Sequence, residues 1–373
     1  MNATALFTAD RDHDHTLVVV FLRGAADGLH LVVPHGDDAY YRARPTIALK
    51  RSELFDLDGF FGLHPGLLML QEYWQNGSMS IVHGVGSEDE SRSHFDAQDF
   101  VEHGGLTAGG WLGRFLRVRP DAGNSPLTAV AIGAQLPECL RGAPSCAAIQ
   151  SFESFGLGRH ADALWNAQLA ELYRQTPGML GVAGAQAFTA LQRMETLRGQ
   201  SYRPAHDAVY AADPFSQGML QIARLLKARV GLQAATINLD GWDSHLTQSA
   251  IIDGPIRRLG AGLASFACDL GPNDLKKTTV VVMTEFGRRI AENSAGGTDH
   301  GLGSVMFVLG GKQQGGRIHA KWQGLDPDRL SGPGDLPVSF NYRNVLAPVL
   351  RDISAETPLH EVFPDFSLAP LTL

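Results

Sequence analysis

The chain has 373 residues, 44% of them hydrophobic and 19% charged, which suits a soluble globular protein with a sizeable core. Its net charge of −8, with no block of like charge, argues against nucleic acid as a partner, because phosphate binding needs a basic face. No apolar run reaches transmembrane length, which argues against a membrane partner.

The three cysteines, Cys139, Cys146 and Cys268, stand at no metal spacing and read as reduced thiols. The polar, acidic start from Met1 to His15 carries neither an apolar export segment nor a twin arginine. The expectation is a cytoplasmic protein, or a periplasmic one if an export signal has been removed.

In chain order, Thr16–Leu22 is a continuous β-branched and apolar run, the pattern of a central parallel strand covered on both faces. It ends in a glycine-flanked loop holding Asp27. The turn-rich stretch from His35 to Gly62 reads as a loop over the sheet edge. A helix is predicted from Leu63 to Trp74, closed by Gly77, and a second strand over Met79–Gly86.

Ser93 then fits a helix N-cap, with Asp96 at the N3 position of a capping box. A short helix around Trp111–Val118 and a strand over Leu127–Ile132 follow. From Ser151 to about Lys227 the period is helical, over Arg159–Arg174, Met179–Gly199 and Asp213–Ala228.

A strand over Gly231–Leu239 releases Asp240, Asp243 and His245 in a glycine-broken loop. Ile251–Leu270 is predicted helical, and Thr278–Thr284 is the next core strand, ending in Glu285. Arg288 is placed to pair with Glu285. Asp299 and His300 precede a strand over Ser304–Gly310, Tyr342–Leu350 is a last helix, and the tail from Asp352 is loop-like. The fold expected is a three-layer α/β/α arrangement with a mostly parallel central sheet, in a single domain with a helical region at about 151–235.

Asp27, Asp243, His245, Glu285, Asp299 and His300 all flank strand ends, which converge on one crevice in a doubly wound sheet. Converging carboxylates repel unless a cation holds them, and histidine among them points first to zinc or manganese, with calcium or magnesium as the alternatives. Ser93, with Ser91 in reserve, is the candidate nucleophile, since a helix N-terminus supports a transferred anion. Arg92 and His94 are the candidates to bind or protonate that anion.

These motifs resemble the alkaline phosphatase superfamily, which includes phosphatases and sulfatases. The closer resemblance is to an uncharacterised bacterial family placed there, whose members often carry twin-arginine signals. It rests on Phe21–Gly28, Ser91–Asp99, Asp240–His245, Thr284–Arg288 and Gly297–His300. It implies an alkaline-phosphatase-like fold, with Asp27 as the first-strand metal aspartate and His64–Leu67 at the early helix start. It puts Asp243 and His245 where a pair binds one metal, His300 at the late metal histidine, and Ser93 or Ser91 near the nucleophile. Glu285 takes the place of the aspartate in an Asp-His pair, with Phe286 where the histidine would be, so a second zinc would lose a ligand. The sulfatase Cys-x-Pro-x-Arg signature is absent.

The function expected is a metal-dependent hydrolase acting on small anionic phosphate or sulfate esters. The alternative is a non-catalytic metal- or anion-binding member working with a protein partner or as a homo-oligomer. A metal-assisted esterase or carbohydrate hydrolase is the third option.

Overall fold

The β-branched run that opens the chain is strand β1, Thr16–Arg23. The computed structural model describes residues 15–119, 125–153, 155–156, 163–312 and 314–373. The acidic N-terminal stretch, apart from His15, and the first turn of the predicted Arg159–Arg174 helix lie outside the described residues.

Around β1 the main sheet comprises, in chain order, β2 (Met79–Gly86), β3 (Ala129–Ile132), β4 (Ala147–Ile149), β5 (Ala234–Asp240), β6 (Thr278–Thr284), β7 (Ser304–Gly310), β8 (Arg317–His319) and β9 (Phe340–Asn341). The spatial order is β8-β2-β7-β6-β1-β5-β3-β4, with β9 also paired to β2. Pairs β1·β5, β1·β6, β3·β5, β3·β4, β2·β8 and β2·β9 are parallel. β7 runs antiparallel to both β2 and β6. The fold is therefore α/β with a large, mostly parallel sheet.

The side chains of β1 alternate as the pleat requires. Val18, Val20 and Leu22 face one apolar cluster, with Phe215 and Met219 of Pro214–Lys227 and Ile256 and Leu263 of Gln248–Leu275. Leu17, Val19 and Phe21 face the other, with Trp111 and Phe115 of Trp111–Val118 and Val345 and Leu346 of Tyr342–Ile353. Helices therefore cover both faces of the sheet. Each fully buried side chain of this size stabilises the fold by roughly 1.5–3 kcal/mol.

Register puts the functional loops at one edge. Arg23 pairs with Asp240 and Leu22 with Thr284, so β1, β5 and β6 end side by side. Because β7 is antiparallel, its start at Ser304, opposite Val85 near the end of β2, lies at that same edge.

Several local expectations change. The stretch from His35 to Gly62 contains a helix, Asp38–Ala43, and a strand, Phe55–Asp56, of a separate three-stranded sheet. The predicted Leu63–Trp74 helix starts as 3-10 turns over Pro65–Leu70, capped by His64, whose Nδ1 accepts from the Gly66 N–H, and becomes α-helical at Gln71–Gln75. The predicted Ile251–Leu270 helix extends over Gln248–Leu275, broken at Gly271 (φ 67), and a short helix, Leu359–Val362, follows Asp352. Helices Ala163–Gln175, Met179–Gly199 and Pro214–Lys227 occupy the helical region. Among the described residues no helix is long and apolar enough to cross a membrane.

Candidate metal centre

The chain turns sharply at each strand end of this edge. After β5, Gly241 takes φ 98 and Trp242 drops into the core, donating its indole N–H to the Leu239 carbonyl at 2.9 Å. That anchor leaves Asp243 half-exposed on the outside of the loop. Gly24, at φ 116, lies so close that a Cβ there would stand 2.6 Å from the Asp243 nitrogen. No other residue type fits that approach and that dihedral together.

Arg288, fully buried, ties these loops into one body. It donates to the carbonyls of Ala25 (2.8 Å), Gly24 (2.6 Å) and Thr298 (3.0 Å), and to Asp243 Oδ1 (2.7 Å). The sequence-based pairing of Arg288 with Glu285 is thus corrected: its carboxylate partner is Asp243. Burial alone would raise the Asp243 pKa, but the hydrogen bond and charge of Arg288, with His245 and His94, hold it below the usual carboxylate range.

Three imidazoles surround Asp243. His94 Nε2 is 3.6 Å from Oδ2, His245 Nε2 3.1 Å from Oδ1 and His300 Nε2 3.5 Å from Oδ1. One ligand atom each from His94, Asp243 and His300 lies within 4.8 Å of the others. Phe286 stacks on His94 with ring centroids 5.1 Å apart, and touches His300 at 5.0 Å.

The outer nitrogens of these rings are committed. His94 Nδ1 meets Glu285 Oε1 at 2.8 Å, and His300 Nδ1 meets the Arg92 carbonyl at 2.8 Å. Since a carbonyl only accepts, His300 carries its proton on Nδ1 and directs the Nε2 lone pair into the cluster. Arg92 adopts φ 53, a rare conformation for a non-glycine, at the place where its carbonyl serves His300. The Glu285 hydrogen bond, against the effect of burial, raises the His94 pKa. Burial lowers that of His300, with the Arg92 carbonyl opposing.

Glu285 is buried beneath the cluster. Its Oε1 accepts from Gly24 N–H, His94 Nδ1 and Gln98 Nε2, and its Oε2 from the Thr284 hydroxyl, all at 2.8–2.9 Å. Burial would raise its pKa, but the His94 and Gln98 hydrogen bonds keep it lowered. It orients His94 rather than joining the inner set. Asp299 acts similarly on His245, with Oδ1 3.4 Å from His245 Nδ1 and 3.2 Å from Asn293 Nδ2.

Asp27 is not among the residues whose ligand atoms gather within 4.8 Å. Its carboxylate accepts from Arg44 Nη1 (2.6 Å) and Nη2 (3.1 Å), Gln248 Nε2 (2.6 Å) and the Leu29 N–H (3.1 Å), all within the protein. Burial opposes ionisation, but the charge and hydrogen bonds of Arg44 lower the Asp27 pKa. Arg44, fully buried, carries no signal in the sequence: it lies in the turn-rich stretch and meets Asp27 only through the fold.

Ser93 caps helix His94–His103, its Oγ accepting from the Asp96 N–H at 3.4 Å. The Ser91 hydroxyl donates to Asp89 Oδ2 at 2.7 Å. The Arg92 guanidinium pairs with buried Asp335 at 2.5 Å. His94 faces Asp243 and His300 inside the cluster.

The donor set fits a divalent cation. His94 Nε2 is buried with no hydrogen-bond partner. His245 Nε2 and His300 Nε2 lie 2.9 Å apart, and with the His300 proton on Nδ1 the His300 nitrogen accepts this hydrogen bond from His245. The unpartnered His94 nitrogen, beside the Asp243 carboxylate and His300 Nε2, makes a donor set that a divalent cation fits.

Residues 77–333 match the family described as Protein of unknown function (DUF1501). The chain belongs to that family. The DUF1501 match spans His94, Asp243, His245, Glu285, Asp299 and His300, whereas Asp27 and Arg44 precede it. No curated protein matches. Among solved structures, the chain is similar to a TAB5 alkaline phosphatase mutant with Mg bound in the M3 site, at 9% identity and a TM-score of 0.29, covering 79% of this chain and 90% of that one. It is also similar to the alkaline phosphatase from the Antarctic bacterium TAB5, at 8% identity and a TM-score of 0.27, covering 79% and 91%. Likeness at that level assigns no residue and no activity to this DUF1501 chain.

Proposed function

We propose that this protein is a metal-dependent hydrolase of small phosphate or sulfate esters, built on one divalent cation held by His94, Asp243 and His300. The observation that carries this is the buried, unpartnered His94 Nε2 within 4.8 Å of ligand atoms of Asp243 and His300. Such a cation would polarise the ester and stabilise the charge that develops on it. Imidazole nitrogens with a carboxylate suit zinc or manganese.

The chain's own groups would supply the rest. Glu285 fixes the His94 ring and Arg92, through its backbone, fixes His300. Arg288 holds Asp243 in place. Ser93 is assigned as attacking hydroxyl: it sits one residue before His94 at the same helix start, and its cap contact uses a lone pair and not its proton. Its oxygen would bond to phosphorus or sulfur as the ester's alcohol departs with that proton. Water would then release the anion and restore the hydroxyl.

A second reading, a non-catalytic metal-binding protein working with a protein partner or another copy of itself, is favoured by one feature. Asp27 is neutralised by Arg44, and Phe286 occupies the face of His94, so among the described residues one set of ligand atoms gathers rather than two. Turnover of an aryl phosphate and aryl sulfate panel by the zinc- and manganese-loaded chain separates the readings. The hydrolase reading predicts turnover of at least one ester, lost in His300→Ala; no turnover of any ester with either metal favours the second.

A further inference from the structure

A cavity of about 360 Å³ opens beside the metal centre. It shares Asp299 and Asn293 with the shell that orients His245, so it begins where that histidine's support ends. Ala43, Ile290, Leu325 and Leu330 give it an apolar wall.

The charged groups that line it are not equal. Glu292 accepts from the Thr46 and Ile47 backbone, and Arg42 pairs with Asp326 at 2.9 Å. Asp299 is held by Asn293 and His245. Arg289 differs: its guanidinium lies 3.6 Å from Asp299 and 3.9 Å from Asp335, and its Nε has no hydrogen-bond partner. It is held by charge, with donor capacity unused.

Resting on the hydrolase reading above, we propose that this cavity is the subsite for the organic part of the ester. The group it takes is an apolar body of aromatic-ring size bearing a carboxylate, which Arg289 receives. An apolar wall beside one guanidinium that is held only by longer ion pairs, at 3.6 and 3.9 Å, is the pattern of a pocket that selects such a group.

The test uses calorimetric titration of the zinc-loaded full chain with methylphosphonate, benzylphosphonate and 4-carboxybenzylphosphonate. Burial of a ring and a charge-assisted hydrogen bond should each raise affinity roughly 10-fold, giving the order methyl, benzyl, carboxybenzyl. Leu330→Trp, which fills the cavity, should bring the two larger probes to within about 3-fold of methylphosphonate while leaving methylphosphonate unchanged. Ala43→Phe, from another part of the wall, is an independent block if Leu330→Trp does not fold. Arg289→Gln should weaken only the carboxybenzyl probe.

Should methylphosphonate bind but the larger probes gain nothing, or should the order survive both blocks, the subsite is wrong and the metal reading stands. If no phosphonate binds the zinc-loaded chain, the hydrolase reading fails and takes the subsite with it.

Discussion

Glu285 Oε1 lies 2.8 Å from His94 Nδ1, and the carboxylate is buried while the far side of the ring faces Asp243 and His300. A carboxylate on one imidazole nitrogen raises the basicity of the other and fixes the ring's direction. Glu285→Gln keeps the shape and removes the charge. Its zinc affinity should fall about 10- to 100-fold with the fold intact. A chelator-competition titration reads this, and an unchanged affinity would show that Glu285 has only a packing role.

The Asp27–Arg44 pair should act on stability and not on metal. Either Asp27→Asn or Arg44→Met leaves one buried partner unmatched, a loss of about 3–5 kcal/mol in urea unfolding. The double variant should lose less than the sum of the two. Zinc affinity of Asp27→Asn should stay within about 3-fold of the parent, against the roughly 100-fold loss expected of a ligand. A ligand-sized loss would return Asp27 to the metal set.

Much of this was readable from the sequence, for identifiable reasons. β1 and β6 are apolar runs rich in β-branched residues, and Asp243 and His245 follow a parallel strand while His300 reaches the same edge by preceding the antiparallel β7. Strands β4, β8 and β9 span only two or three residues, too few for a period to show. Arg44 gave no sign because its partner is chosen by the path of the chain and not by spacing. The roles of Glu285 and Asp299 were not legible either: a carboxylate at a strand end reads the same whether it faces a metal or the back of a histidine. The Arg92 guanidinium, read from the sequence as an anion-binding group, pairs with Asp335, while its backbone carbonyl, which no spacing could single out, meets His300.

Acid should destabilise the chain through buried histidines. Burial, with nearby positive groups, pushes His30 down to about 3 and His64 to about 4, and burial pushes His83 to about 4. All three fold neutral, whereas the unfolded chain takes up their protons near pH 6.5. The stability they contribute is complete above pH 6.5 and is lost as pH falls through the folded values. The slope is up to about 1.4 kcal/mol per pH unit for each. Urea midpoints between pH 7.5 and 4.5 check this, and Gln at position 83 (His83→Gln) should flatten the dependence.

Ser93→Ala separates a nucleophile from a cap. Loss of the cap contact alone should lower stability by about 1 kcal/mol. Loss of the attacking hydroxyl should lower turnover by several orders of magnitude with zinc binding retained. Near-normal turnover in Ser93→Ala would move attack to Ser91 or to water.

The proposed centre is a single cation held by His94, Asp243 and His300. The most direct measurement is zinc titration of the metal-stripped chain, by calorimetry with elemental analysis after dialysis. The account predicts one tight zinc per chain, with affinity reduced at least about 100-fold in each of His94→Ala, Asp243→Ala and His300→Ala, since removing a ligand strips both a bond and the geometry. Two tight zinc ions per chain, or a parent that binds no better than the three variants, would contradict it.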